Sequence, residues 1–142
     1  MKSSAKDSCM STCREEDISV MRAFIARKKA DKKARNHALW QQACQDAGKI
    51  RAMIIAGYSP KAIYQWGSVL DGASFSEISD IDIAVEGVSS TEAFFDLIGK
   101  AEGLTDFPVD IVEIERVEPE YARLIKTHGR CVYRKETGHV SG

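Results

Sequence analysis

The sequence predicts an α/β domain in which a small mixed β-sheet is flanked by helices and preceded by an N-terminal helical extension. Three observations carry that expectation. Residues 15–55 are dominated by Ala, Lys, Arg, Gln and Met, all good helix formers, with no proline. Downstream, short runs of β-branched and aromatic residues alternate with helical patterns in the order strand, strand, helix, strand, helix, strand. The length, 142 residues, with 44% hydrophobic and 29% charged residues, suits one compact domain.

The elements follow in order. Residues 1–13 are polar and Ser-rich without periodicity and are read as a disordered tail. Residues 14–47 form the helical extension, in which Arg27–Arg35 is so basic that it reads as a solvated stretch or a break between two helices. Leu39, Ala43, Ala47, Ile50 and Ile54 recur at steps of three and four, which aligns them on one face that should be buried. Gly57 and Pro60 end the helix and turn the chain into a strand, Ala62–Trp66, closed by Gly67-Ser68. A second strand spans Ile81–Val85, and Thr91 is placed to cap a helix running to about Ala101. Val109–Ile114 alternates as a third strand, Pro119 opens a short helix, Gly129 ends it, and Cys131–Tyr133 is a last strand. The core is thus expected over residues 48–134, with a C-terminal tail at 135–142.

Lys plus Arg (20) nearly cancel Asp plus Glu (21), so no global field attracts nucleic acid or an anionic membrane, and no direct nucleic-acid binding is expected. The N-terminus has no apolar segment of a secretory signal, and no later run approaches membrane-spanning length; a soluble cytoplasmic protein is the expectation. The four cysteines, Cys9, Cys13, Cys44 and Cys131, match no compact zinc spacing and are read as reduced thiols.

The chemistry-bearing segment is Asp80-Ile81-Asp82-Ile83. Asp is disfavoured in strands and costly to bury unless paired or metal-bound. Residues two apart in an extended chain project to the same side, so Asp80 and Asp82 present two carboxylates to one point while Ile81, Ile83 and Val85 enter the core. Two such hard oxygen donors suit Mg²⁺, with Mn²⁺ an alternative. Upstream, Gly67-Ser68 and then Gly72 let the backbone approach a phosphate and present amide N–H groups to it, with the Ser68 hydroxyl as a further donor. Asp110 lies in a later strand. Lys49, Arg51, Lys61, Arg116 and Arg123 belong to no motif and are read as solvated; Tyr64 and Trp66 are read as core rather than base-stacking residues; His37, His128 and His139 are given no catalytic role.

Tyr64-Gln65-Trp66-Gly67-Ser68-Val69-Leu70-Asp71-Gly72 followed by Ser79-Asp80-Ile81-Asp82-Ile83-Ala84-Val85-Glu86 resembles the DNA polymerase β-like nucleotidyltransferase superfamily, and within it the minimal nucleotidyltransferases, over about Ile50–Tyr133. The resemblance implies that Asp80, Asp82 and Asp110 form the catalytic and metal-binding set for two Mg²⁺ ions, and that Gly67 and Ser68 bind the phosphates of a nucleoside triphosphate substrate, ATP by expectation. It implies transfer of AMP to a hydroxyl acceptor, most often a tyrosine of a HEPN-type partner toxin in a toxin–antitoxin pair, with a homo- or hetero-oligomer. Two departures stand out: eleven residues separate Ser68 from Asp80, one more than is common, so that Ala73–Ile78 should bulge; and Asp71 replaces an often basic residue. Two other readings stay open, a catalytically weak antitoxin that acts by binding, and a small-molecule nucleotidyltransferase that needs a dimer to complete its site.

Overall fold

Helix formers without an internal proline allow an uninterrupted first helix, and the computed structural model, which describes residues 2–136 with side chains from Glu15 onward, has one: α1, Lys2–Tyr58. It passes through Arg27–Arg35 without a break and is drawn from ahead of the boundary expected at residue 14. Residues 137–142, the greater part of the expected C-terminal tail, together with His139, lie outside the described residues. The chain divides into two units, Met1–Arg35 and Asn36–Gly142. In the first, every side chain from Glu15 to Arg35 is exposed.

The second unit begins at Asn36, earlier than the boundary expected at residue 48, because the α1 stripe there is already core. Ala43, Ala47, Ile50 and Ile54 are at most 2% exposed, as their spacing predicts, while Leu39, first of the expected row, is only half-buried against the same core. Full burial of an Ile or Leu side chain contributes about 1.5–3 kcal/mol, so this stripe anchors the helix. The helix ends one residue beyond Gly57, and Ser59, not a glycine, takes the left-handed backbone (φ 44°) that lets Pro60 start the turn.

Four strands follow: β1 Ala62–Trp66, β2 Ile81–Glu86, β3 Val109–Glu113 and β4 Arg130–Arg134, with α2 Thr91–Glu102 before β3 and α3 Pro119–His128 before β4. The sheet order is β3-β2-β1-β4. β2 runs antiparallel to β1 and parallel to β3, and β4 runs antiparallel to β1, so the sheet is mixed as expected. The parallel pair requires a crossover, supplied by α2. The cap of α2 is Ser90 rather than Thr91: Ser90 Oγ accepts from the Ala93 amide at 3.1 Å, while Thr91 Oγ1 accepts from Arg116 at 2.7 Å.

Alternation divides the residues between two faces. Ile63, Ile81, Ile83, Val85 and Ile111 meet α1 and α2 in the larger core, with Leu97, Ala101 and Phe75. Ala62, Tyr64, Ala84 and Ile114 meet Ile125 of α3 in a smaller one. Tyr64 is core, as expected, 3% exposed with its hydroxyl accepting from Arg134 at 2.9 Å.

Candidate active site

Strand register builds the site. Trp66 on β1 faces Asp82 on β2, and Asp82 faces Asp110 on β3. Neighbours across a sheet share a face, so these three side chains form one row on the α3 side, with Asp80 just ahead of the β2 strand. Ile81 and Ile83 point the other way and are at most 1% exposed, which fixes the register: a slip of one residue would send both isoleucines to the carboxylate face. The structure therefore brings together Asp80, Asp82 and Asp110.

β1 is followed by Gly67, whose φ of +81° is one that side-chain-bearing residues rarely adopt, and a Cβ added there would fall on the Asp82 carboxylate. The chain then winds through a short 3-10 turn, Gly67–Leu70, which starts directly beside Asp82 at Gly67 and carries Ser68 next. The turn is held from behind by Trp40, whose Nε1 donates to the Val69 carbonyl at 2.8 Å, and Gly72 packs on the Trp40 ring so closely that a Cβ would lie 2.8 Å from it. Trp40 was not expected as a supporting residue, because its partner lies 29 positions away and no local pattern links them.

The segment between Gly72 and Asp80, where a bulge is expected, is pinned at several points. Phe75 is 1% exposed and meets the Phe107 ring edge-on at 5.7 Å between centroids. Ser76 and Ser79 exchange bonds, Ser76 N to Ser79 Oγ and Ser79 N to Ser76 O, both at 3.0 Å. This leaves Ile78, 87% exposed, at the tip. The Asp71 carboxylate closes its own turn by accepting from the Ala73 amide at 3.0 Å.

The electrostatics follow from the row of carboxylates. Burial, then Asp110, then Asp80 push the Asp82 pKa up to about 6. Among the described residues no ion pair reaches any of the three aspartates: Arg116 is paired with Glu113 at 3.1 Å and Arg123 with Glu120 at 3.9 Å, while Arg51 donates to Gln65 at 3.5 Å. Tyr121, in the first turn of α3, meets the Trp66 ring edge-on at 5.7 Å, and burial followed by the Asp110 and Asp82 charges raises its phenol pKa. Trp66 touches Tyr121 and faces Asp82 in the strand register, with its Nε1 buried and without a partner among the described residues. The alternation of β1 would have placed Trp66 beside Asp82; the arrival of Tyr121 depends on how α3 packs.

Among the described residues no three His, Cys, Asp or Glu side chains are grouped tightly enough to hold a metal ion as they stand. The donor set fits a hard divalent cation all the same: three carboxylates without an ion-pair partner among the described residues, with burial and then the charges of Asp110 and Asp80 holding the Asp82 pKa up at about 6. Such groups repel until a counter-ion draws them in.

A strand-end Gly-Ser turn thus lies beside a row of carboxylates on a mixed sheet. The sequence model of the family described as polymerase beta, nucleotidyltransferase matches residues 49–138, more than half of the chain, and the protein belongs to that family. No curated protein matches. Among solved structures the chain is similar to one in a crystal structure of a toxin–antitoxin with AMP-PNP, at 25% identity and a TM-score of 0.51 over 62% of this chain and 73% of that one. A mutant of the toxin–antitoxin MntA–HpeT gives 25% identity and a TM-score of 0.53 over 63% and 73% of the two chains. The toxin–antitoxin MntA–HepT gives 22% and 0.50 over 64% and 72%, a likeness of fold. Among the described residues no helix is long and apolar enough to cross a membrane.

Proposed function

We propose that this protein transfers a nucleoside monophosphate, AMP from ATP, to a hydroxyl acceptor, and that the acceptor is a tyrosine of a HEPN-type toxin for which this chain is the antitoxin. The observation that carries the reading is the row Asp82–Asp110, joined by Asp80, with no cationic partner among the described residues and abutted by the Gly67–Ser68 turn. Family membership supports nucleotidyl transfer, the neighbour with AMP-PNP supports an adenine nucleotide, and the toxin–antitoxin neighbours at 25% identity support a toxin partner.

In this reading the Gly67 and Ser68 amides and the Ser68 hydroxyl hold the triphosphate. Asp80, Asp82 and Asp110 would hold two Mg²⁺ ions, whose chemistry is to neutralise charge on the attacking and leaving oxygens. The acceptor oxygen forms its bond to the α-phosphorus as the bond to pyrophosphate breaks, and Asp110 takes the hydroxyl proton. Trp40, through Val69, keeps the phosphate turn in place before substrate arrives.

Labelled ATP with Mg²⁺ and the cognate HEPN protein tests this directly. Label should pass to the toxin and be lost in Asp80→Ala with Asp82→Ala; transfer that persists in the double variant would sink the assignment. Neutralisation of the toxin without any transfer would favour the binding-only reading.

A further inference from the structure

The apolar face left uncovered on the first unit, together with its charge order, points to a partner. Every side chain from Glu15 to Arg35 is exposed, among them Ile18 (40%), Met21 (58%), Phe24 (53%) and Ile25 (46%). Ile18, Met21 and Ile25 are spaced by three and four and so form one row on the helix, with Phe24 on its flank. Isolated exposed apolar residues need no explanation, but a contiguous row on a helix does. The charges on either side are segregated. Glu15, Glu16 and Asp17, next to Arg14, precede the row, which holds the single charge Arg22; Arg27, Lys28, Lys29, Lys32, Lys33 and Arg35 follow it, with Asp31 the one acid among them.

The order acidic, apolar, basic complements itself when reversed. If a second helix of the same sequence lies antiparallel, the acidic turn of each copy meets the basic run of the other and the two apolar rows meet between them. The acidic turn centres near residue 16 and the basic run near residue 30, so each lies roughly seven residues, or about 10 Å, from a midpoint near Ala23, inside the apolar stretch. A parallel pairing would set acid on acid and base on base, and a nucleic acid would meet the basic run but be repelled by the acidic turn. A two-fold contact of this kind is closed and self-complementary, the commonest way for a chain to assemble with itself.

We infer that residues 15–35 are a homodimerisation helix, whose occupant is the same helix of a second copy in antiparallel orientation. The apolar row is short, so the charges set the strength and the orientation. The dimer is concentration-dependent and weakens with salt, as exposed ion pairs do. The inference is independent of the transfer chemistry, since no residue of the active site takes part.

Sedimentation equilibrium on the full chain tests it. At about 0.05 M salt the wild type should be dimeric at micromolar concentration and should dissociate tenfold or more readily at about 0.5 M. Reversing the acidic turn (Glu15→Lys, Glu16→Lys, Asp17→Lys) should weaken self-association at least tenfold, and so should reversing the basic run (Lys28→Glu, Lys29→Glu, Lys32→Glu). An equimolar mixture of the two variants should regain a dimer, because each supplies the charge the other has lost. All six positions are exposed, so the core unit should melt as in the wild type. A wild type that stays monomeric, a dimer indifferent to both reversals, or variants that do not recover when mixed would each overturn the proposal.

Discussion

Gly67 lies against the carboxylate of Asp82: any β-carbon at position 67 would occupy the space of that carboxylate, while the backbone there (φ +81°) is one that other residues rarely adopt. The turn at Gly67 and the central carboxylate are therefore a single packed unit. Gly67→Ala should destabilise the protein by roughly 1–3 kcal/mol through strained backbone and collision together. In an Asp82→Ala background the collision disappears and only the backbone part remains, so a double-mutant cycle in thermal melts should show a smaller penalty for the glycine change. Equal penalties in the two backgrounds would contradict the packing described.

Asp82 gives a pH dependence of defined sign. Its pKa is raised from 3.8 to about 6, so between those values the folded chain retains a proton that the unfolded chain has lost. Stability should fall as pH rises from about 4 to about 6 and hold its lower value above; below about 4 the contribution vanishes. Asp82→Asn should accordingly stabilise the metal-free protein at pH 7.5, by on the order of 1 kcal/mol once solvent screening of a half-exposed group is allowed for, and should do nothing at pH 3.5. Urea titrations at the two pH values measure both arms.

Trp40 holds the turn from α1, outside the sheet. Trp40→Phe removes the bond to the Val69 carbonyl and should cost about 1 kcal/mol, with a larger proportional loss in nucleotide affinity than in stability. Gly72→Ala pushes a methyl group onto the same ring and should act in the same direction. Fluorescence of a bound nucleotide analogue, set beside a melt, separates the two effects.

Phe75 decides whether the segment ahead of Asp80 is ordered. Its replacement by Ala empties a fully buried site against Phe107 and should cost about 3–5 kcal/mol. Amide exchange should rise first in residues 73–79, before the strands respond, if that side chain is what pins the loop.

The strands and the carboxylates were legible because both depend on local periodicity. Ile81, Asp82, Ile83 alternate, and alternation alone assigns the isoleucines to the core and the aspartate to the opposite face. The buried stripe of α1 was legible for the same reason, as steps of three and four. What could not be read depended on tertiary packing. The bond from Trp40 to Val69 and the Phe75–Phe107 contact join residues far apart in sequence, and the approach of Tyr121 to Trp66 depends on where α3 settles. The helix cap passed from Thr91 to the adjacent Ser90 because either hydroxyl could serve, and Arg116 drew Thr91 into a different bond.

The order β3-β2-β1-β4 leaves β4 as an outer strand of the four-stranded sheet. A strand in that position offers a row of backbone donors and acceptors to any other extended chain, a route to aggregation during synthesis or refolding. Here the strand is only five residues long and begins and ends in exposed arginines, Arg130 and Arg134. Two such strands brought edge to edge would set positive charge against positive charge at each end, so the arginines act as gatekeepers on that edge of the sheet.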